Sequence, residues 1–204
     1  MASNYTQEKL YLQLMKILID IGHPGHVHLF RPFTKIMLQN GHNVLFTCRQ
    51  KEFEIELLES FGFKYISFGK HYNNKRGKIW GLIKFNILML QTAIRYKPNV
   101  FLSHGSFYAA QVAWLLKKPH ISFEDTFNFE QIRLYKPFTS CILSSDYKHP
   151  ALGKKNINYS GYHELAYLHP KRFNAEISDK GLSERFVLLR FVSWKATHDI
   201  GHKG

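Results

Sequence analysis

The chain has 204 residues, 45% of them hydrophobic, and a formal net charge of +13 at pH 7. That size and apolar content suffice for a folded core and exclude a wholly disordered protein. The basic excess favours a polyanionic neighbour, such as nucleic acid, an acidic membrane surface or phosphorylated substrates. Because the basic residues are scattered and no nucleic-acid-binding motif is present, a solvated surface fits better than a specific nucleic-acid partner.

The cysteines and the N-terminus indicate a cytoplasmic protein. Cys48 and Cys141 lie far apart, each at the end of a predicted strand, which is typical of reduced buried thiols. No apolar run reaches the roughly 18 residues of a membrane span. Residues 1–14 lack the apolar core of a secretory signal and are expected to form an N-terminal extension. Peripheral contact with the acidic inner face of a membrane is compatible with the charge.

Strand-like and helix-like segments alternate along most of the chain. Strands are predicted at residues 16–21, 43–47, 64–68, 99–103, 119–123 and 140–144. Helical spacing follows each of the first five, with helices expected to end near residues 39, 61, 96, 116 and 135. Because proline removes a helical hydrogen bond, Pro32 predicts that the first regular helix starts near Arg31 or kinks there. The alternation predicts an α/β fold, with a Rossmann-like parallel sheet and helices on both faces.

The pattern changes after residue 146. Residues 147–155 are polar and basic, and residues 158–170 are rich in aromatics and histidine. One further strong strand pattern follows at 186–192, shortly before the last residue. We therefore expect one domain over 15–170, a linker over 171–185, and over 186–204 the first strand of a truncated second domain.

Three histidines, His23, His26 and His28, follow the first strand. Ligands of open parallel sheets bind where the strands end, imidazole titrates near neutrality, and helix N-termini attract anions. Acid–base work and phosphate or hydroxyl binding are therefore expected here, although at least one histidine, first of all His28, should cap or pack the helix. The spacing matches no recognised zinc pattern and no acidic or cysteine cluster is near in sequence, so no metal is expected. No dinucleotide or Walker fingerprint is present, and no cofactor is expected.

Two later loops carry similar chemistry. In the fourth, His104 is followed by Gly105, which lets a ligand approach the backbone, and by Ser106, which can cap the next helix. After the fifth strand, Glu124 and Asp125 form a carboxylate pair that can bind a sugar hydroxyl or act as a base. Asp125 can equally be a helix cap, and both interpretations stay open.

Four stretches carry a family resemblance: MKILIDIGHPGHVHLF, SHGSFYAAQVAWLLKKPHISFEDT, YSGYHELAYLHP and LRFVSWKATHDIGHKG. They resemble a family of uncharacterised bacterial and archaeal proteins, the domain of unknown function numbered 354. That family is similar to GT-B glycosyltransferases and to UDP-N-acetylglucosamine 2-epimerases. The resemblance implies two Rossmann-like domains across a cleft, with the acceptor bound mainly by the N-terminal domain and most of the nucleotide-sugar donor by the C-terminal domain.

The resemblance also implies roles for residues of this chain. His23 or Asp125 would take the proton of the acceptor hydroxyl, and no metal would be needed. The expected substrate-binding residues are His26, His104, Gly105, Ser106, Glu124, His163 and Glu164. Arg190, Ser193 and Trp194 would lie on the donor side, near the diphosphate.

The function expected from this resemblance is that of a glycosyltransferase-like protein when full length. Its partners would be a nucleotide-diphosphate sugar and a glycan or lipid-linked acceptor. A sugar-nucleotide epimerase and a non-catalytic sugar- or polyanion-binding module are the alternatives. Since most of the donor domain is missing from this sequence, we expect the chain alone to be inactive.

Overall fold

The computed structural model describes residues 14–70, 72, 75–147, 149, 151–173, 187 and 189. The chain divides into two compact units, Met1–Tyr167 and Leu168–Gly204. The sheet and the candidate site belong to the first unit. The linker and second domain that the sequence predicts from residue 171 onward lie mostly outside the described residues.

Strands and helices alternate as predicted. The strands are β1 Lys16–Ile21, β2 Asn43–Gln50, β3 Tyr65–Lys70, β4 Val100–His104, β5 His120–Glu124, β6 Cys141–Ser145 and β7 Asn156–Tyr159. The helices are α1 Pro24–Gln39, α2 Glu54–Ser60, α3 Lys75–Tyr96, α4 Phe107–Leu115, α5 Phe129–Tyr135 and α6 Leu165–Leu168.

The strands form a single parallel sheet in the order β3-β2-β1-β4-β5-β6-β7. The chain starts at the middle with β1, builds outward to β3, and then returns to add β4 on the other side of β1. The loops after β1 and β4 therefore diverge at the sheet's switch point, where the carboxyl ends of parallel strands leave a crevice.

The sheet is covered on both faces, as its central strand requires. In β1 every residue after Lys16 is buried, a pattern typical of the inner strand of a parallel sheet. Because side chains alternate along a strand, Ile17 and Ile19 pack with α1 residues such as Phe30 on one face. Leu18 packs with Phe85 of α3 on the other. The predicted Rossmann-like arrangement is confirmed.

Two local predictions differ from the structure. Helix α1 begins at Pro24 and continues through Pro32, so the predicted start near Arg31 is wrong, while the alternative of a kink at Arg31 stays a prediction. Proline in the first turn is well tolerated, because an N–H there has no helical partner, and His23 supplies the cap. Strand β7 was not predicted. It pairs on one side, with β6, and its polar residues Asn156 and Asn158 lack the apolar run of an inner strand.

Candidate active site

Two histidines are held in fixed orientations after β1, His23 in the loop and His26 in the first turn of α1. His23 caps α1, because its Nδ1 accepts a hydrogen bond from the Gly25 N–H at 3.0 Å. Its Nε2 lies 3.6 Å from a carboxylate oxygen of Glu52, and its side chain is 52% exposed. His26 accepts a hydrogen bond at Nδ1 from the Gly22 N–H at 3.2 Å. The neutral His26 ring therefore carries its proton on Nε2.

His26 connects the start of α1 to the end of β4. Its ring stacks on the ring of His104, with centroids 4.5 Å apart and an interplanar angle of 26°. Burial lowers the pKa of His26 well below its ordinary value, and the neighbouring charge of His104 lowers it further. The folded protein therefore holds the His26 imidazole in its neutral form.

Asp125 is the carboxylate at the centre of the site. Nε2 of His104 lies 2.8 Å from its Oδ1, and Nδ1 of His163 lies 3.6 Å from its Oδ2. Burial acts to raise the pKa of Asp125, but the hydrogen bond and charge of His104 and the charge of His163 outweigh it and lower the pKa. The carboxylate is one-third exposed and the two imidazoles are almost covered, so Asp125 is the accessible member of the group.

His163 is buried without a hydrogen bond. Its side chain is 6% exposed, and within the described residues neither ring nitrogen has a hydrogen-bond partner. Its ring packs against Phe123 and Tyr159 at centroid distances of 5.6 and 5.7 Å, and edge-on against His104 at 5.4 Å. Burial lowers the pKa of His163, and the charge of His104 lowers it further. A buried polar group without a partner is costly and points to a functional use.

The loop after β4 is built to present His104. Gly105 adopts φ +64°, a conformation that glycine reaches without strain. Its N–H donates to the hydroxyl of Ser122 and its carbonyl accepts from the side-chain amide of Gln131. The Ser106 hydroxyl caps α4 by accepting from the Ala109 N–H at 3.2 Å, as predicted. This network fixes the strand end from which His104 extends.

The carboxylate pair after β5 divides into two functions. Glu124 is buried, and one of its oxygens accepts from the Thr126 hydroxyl and from the N–H groups of Thr126 and Phe127. Its other oxygen accepts from the Tyr135 hydroxyl at 2.5 Å. Glu124 therefore holds the loop, and Asp125 projects toward the histidines. The cap of α5 is Asn128 rather than Asp125.

A buried ion pair that the sequence analysis missed supports the first loop. Both carboxylate oxygens of Asp20 in β1 lie 2.8 Å from Nη1 of Arg49 in β2. The second guanidinium nitrogen donates to the Ile21 carbonyl at 2.9 Å, directly before the histidine loop, and Thr47 also donates to Asp20. Burying an aspartate without a partner is costly. The position of Asp20 inside the apolar strand β1 could therefore have indicated a buried cationic partner.

The structure brings together four of the residues predicted for the site. His26, His104, Asp125 and His163 form one cluster, with His23 at its rim, 5.9 Å from His26 between ring centroids. Glu164, next to the cluster in sequence, is exposed.

The other predicted residues lie elsewhere. His28 packs against Phe61 and Tyr167, in keeping with its predicted packing role. The predicted donor-side residues Arg190, Ser193 and Trp194 lie outside the described residues. Sequence reasoning also missed Tyr147, whose hydroxyl donates to the Asp125 carbonyl at 3.2 Å.

Residues 15–159 match the family described as Protein of unknown function (DUF354). The chain belongs to this family. The resemblance found in its sequence motifs is thereby confirmed, although membership assigns no activity. No curated protein matches the chain.

Solved structures share the fold of this DUF354 member at low identity. The UDP-GlcNAc 2-epimerase of Methanocaldococcus jannaschii is 15% identical, with a TM-score of 0.51 over 64% of this chain and 39% of its own. The Streptomyces sp. SF2575 glycosyltransferase SsfS6 is 16% identical, with a TM-score of 0.50 over 72% and 55%. S. aureus MnaA, solved with UDP, is 16% identical, with a TM-score of 0.57 over 80% and 50%.

These likenesses confirm the predicted GT-B-like fold, and at such identities they show the fold alone. The DUF354 chain spans between 39% and 55% of the length of these three proteins. Among the described residues, no helix combines the length and apolar character needed to cross a membrane.

Proposed function

We propose that this chain contributes the acceptor-facing wall of a glycosyltransferase-like enzyme that uses a nucleotide-diphosphate sugar. The observation that carries the proposal is the position of Asp125. Its carboxylate lies at the carboxyl edge of the parallel sheet, within reach of His104 and His163, and it is partly exposed. Proteins of this fold include UDP-GlcNAc 2-epimerases and glycosyltransferases, which supports a nucleotide sugar as the substrate class.

In the proposed transfer, Asp125 accepts the proton of the acceptor hydroxyl. The acceptor oxygen forms a bond to the anomeric carbon of the sugar while the bond from that carbon to the diphosphate breaks. The nucleotide diphosphate leaves with the electron pair of the broken bond. His104 holds the carboxylate in position, and His23, half exposed at the rim, is the second group proposed to contact the acceptor. The diphosphate would bind on the donor side, where Arg190, Ser193 and Trp194 are proposed to act.

The test is nucleotide-diphosphate release from a panel of nucleotide sugars, with glycan and lipid-linked acceptors. It needs a protein that carries this sequence followed by a complete second domain, since the chain alone is expected to be inactive. Asp125→Asn should lower kcat by about 100-fold or more, the range typical of a lost general base. Glu59→Gln is the matched control, because the Glu59 carboxylate accepts an exposed hydrogen bond from the Tyr65 hydroxyl at 2.6 Å. No turnover of any nucleotide sugar, or an Asp125→Asn variant with unchanged kcat, would refute the proposal.

A sugar-nucleotide epimerase is the second candidate, because several proteins of this fold carry that activity in their names. Epimerisation needs no acceptor. A product with inverted sugar stereochemistry that forms without acceptor, and without net nucleotide release, would favour the epimerase. Binding of a sugar nucleotide or polyanion that Asp125→Asn leaves intact, with no turnover in either protein, would favour the non-catalytic module.

We also propose a cytoplasmic location with peripheral contact to acidic membranes. Helix α3 exposes the apolar side chains Trp80, Ile83, Ile87 and Ile94 at helical spacing, and the chain carries a formal net charge of +13. An apolar stripe on a basic protein suits an anionic lipid surface. The chain should co-sediment with phosphatidylglycerol vesicles and not with phosphatidylcholine vesicles. Ile87→Ser should weaken the co-sedimentation with phosphatidylglycerol vesicles. Equal binding to both vesicle types would contradict the proposal.

A further inference from the structure

We infer that His104, Asp125 and His163 form a binding site for one divalent transition-metal ion, with Zn²⁺ as the best-matched ion. The three residues come from separate segments, the end of β4, the loop after β5 and the turn after β7. One nitrogen or oxygen donor from each lies within 4.8 Å of the other two. The sequence could not show this set, because its ligands share no local spacing.

The distances suit coordination. Two ligands bound to zinc at about 2.0–2.2 Å in a tetrahedral arrangement lie roughly 3.3 Å apart. The His104–Asp125 and His163–Asp125 pairs lie at 2.8 and 3.6 Å, on either side of that separation. The first of these distances ends on Oδ1 and the second on Oδ2 of Asp125. All three donors lie within 4.8 Å of one another, so side-chain shifts of up to about 1.5 Å would place them around one ion.

The hydrogen-bonding state of the donors is the second, independent observation. His163 is buried with both ring nitrogens lacking a hydrogen-bond partner among the described residues, whereas Oδ1 of the partly exposed Asp125 has Nε2 of His104 beside it at 2.8 Å. Buried polar atoms are normally satisfied. A cation among these three donors would satisfy one nitrogen of His163 and would take the place of the direct His104–Asp125 contact.

The donor types select the class of ion. Two imidazoles and one carboxylate favour zinc and its first-row neighbours over Mg²⁺ or Ca²⁺, which prefer oxygen ligands throughout. Three protein ligands leave at least one coordination position open, as in catalytic rather than structural zinc sites. Asp125 is one-third exposed, so the open position can face solvent or a substrate oxygen.

His26 is not a ligand, although it lies beside the set. Its Nδ1 already accepts the Gly22 N–H, and its ring stacks flat on His104. It acts instead as a positioning residue that restrains the His104 ring. Second-layer contacts of this kind orient metal-binding imidazoles.

The metal inference does not depend on the proposed sugar transfer. An ion here would bind the same Asp125 carboxylate that the proposed transfer uses as its base, so the two proposals describe a metal-loaded and a metal-free form of one cluster. Ion binding is measured on the chain without substrate, which makes its failure distinguishable from failure of the proposed function.

The experiment titrates the chelator-treated chain with Co²⁺ and with Zn²⁺. Co²⁺ should give visible absorption bands of a nitrogen- and oxygen-ligated ion at one equivalent, and Zn²⁺ should displace it. His163→Gln and Asp125→Asn should each weaken Zn²⁺ binding by about 100-fold or more, beyond the effect of losing a second-layer contact. His28→Gln removes a histidine that packs against Phe61 and Tyr167 and should leave the affinity unchanged.

A readout on the unmutated chain guards against variants that fail to fold. Ring-nitrogen NMR shifts of His104 and His163 should move on Zn²⁺ addition, and those of His28 should not. Failure of both ions to bind at micromolar concentration would overturn the inference. So would equal affinity in folded His163→Gln and the parent, or ring shifts confined to other histidines.

Discussion

The buried Asp20–Arg49 pair gives a sharp test of how the site is supported. Replacing Arg49 with Met keeps much of the side-chain length but removes the guanidinium. Asp20 is fully buried and would retain only the Thr47 hydroxyl as a side-chain donor. The Ile21 carbonyl would lose its bond to Arg49 as well.

Arg49→Met is expected to lower the free energy of unfolding strongly, because it leaves the buried Asp20 carboxylate without an opposite charge. Removing one partner of a buried ion pair costs about 3–5 kcal/mol, and the loss at the Ile21 carbonyl favours the upper half of that range. Removing both charges is different, since hydrophobic replacement of a buried pair is often neutral or stabilising. Asp20→Leu combined with Arg49→Met should therefore recover more than half of the loss, short of about 2 kcal/mol for the Thr47 hydroxyl and the Ile21 carbonyl, which both stay without their partner.

The free energy of unfolding is measured by urea titration at constant pH, followed by circular dichroism. Arg95→Met is the matched control, because Arg95 is exposed at the end of α3 and its loss should stay within about 0.5 kcal/mol. A cost below about 1 kcal/mol for Arg49→Met would refute the reasoning. A double variant as unstable as the single one would also refute it, since the cost would then come from packing rather than from an uncompensated charge.

Two further predictions concern the elements that carry the loops. Burial lowers the pKa of His120 to about 3. Below about pH 6.5 the unfolded chain therefore binds a proton at His120 that the folded chain does not bind, and the free energy of unfolding decreases as the pH is lowered. At pH 5.5 the free energy of unfolding should be about 1.4 kcal/mol lower than at neutral pH because of His120. In urea titrations, the free energy of unfolding of His120→Gln should depend less steeply on pH than that of the parent chain, and an equally steep dependence would contradict the prediction. Tyr135→Phe should lower the free energy of unfolding by about 2 kcal/mol, because the Tyr135 hydroxyl donates to the buried Glu124 carboxylate. Tyr65→Phe should lower it clearly less, because the hydrogen bond from Tyr65 to Glu59 is exposed. Equal losses in the two variants would contradict the supporting role given to the Tyr135–Glu124 hydrogen bond.

The fold was predictable because each local pattern agreed with the sheet. The buried run of β1 and the glycine and proline after it were sufficient to place a strand, a loop and a helix. Pro32 misled the prediction of α1, since the penalty for an interior proline was weighed without the His23 cap and the packing that extend the helix. Strand β7 was missed because an edge strand needs no apolar alternation.

The site was predictable only as a set of loops. Position at the carboxyl end of a strand pointed to His104 and Asp125, but sequence distance concealed that they meet at 2.8 Å. Nor could the sequence separate Glu124 from Asp125. The difference arises from Tyr135, a helix away, whose hydroxyl takes up the Glu124 carboxylate. Such partners follow from tertiary packing and leave no local spacing to recognise.

The hydrogen-bonding state of each polar atom narrows the chemistry further than the residue types do. Nδ1 of His23, Nδ1 of His26 and the Ser106 hydroxyl all hold backbone N–H groups at loop or helix starts. These atoms build the site and are not available to a ligand. Within the part of the chain that the structure describes, both nitrogens of His163 lack a hydrogen-bond partner, and the Asp125 carboxylate is one-third exposed. Asp125 and His163 are therefore the two residues of this cluster that we expect a ligand to affect most. Variants of these two residues should change ligand binding more than they change stability, whereas Ser106→Ala should do the reverse.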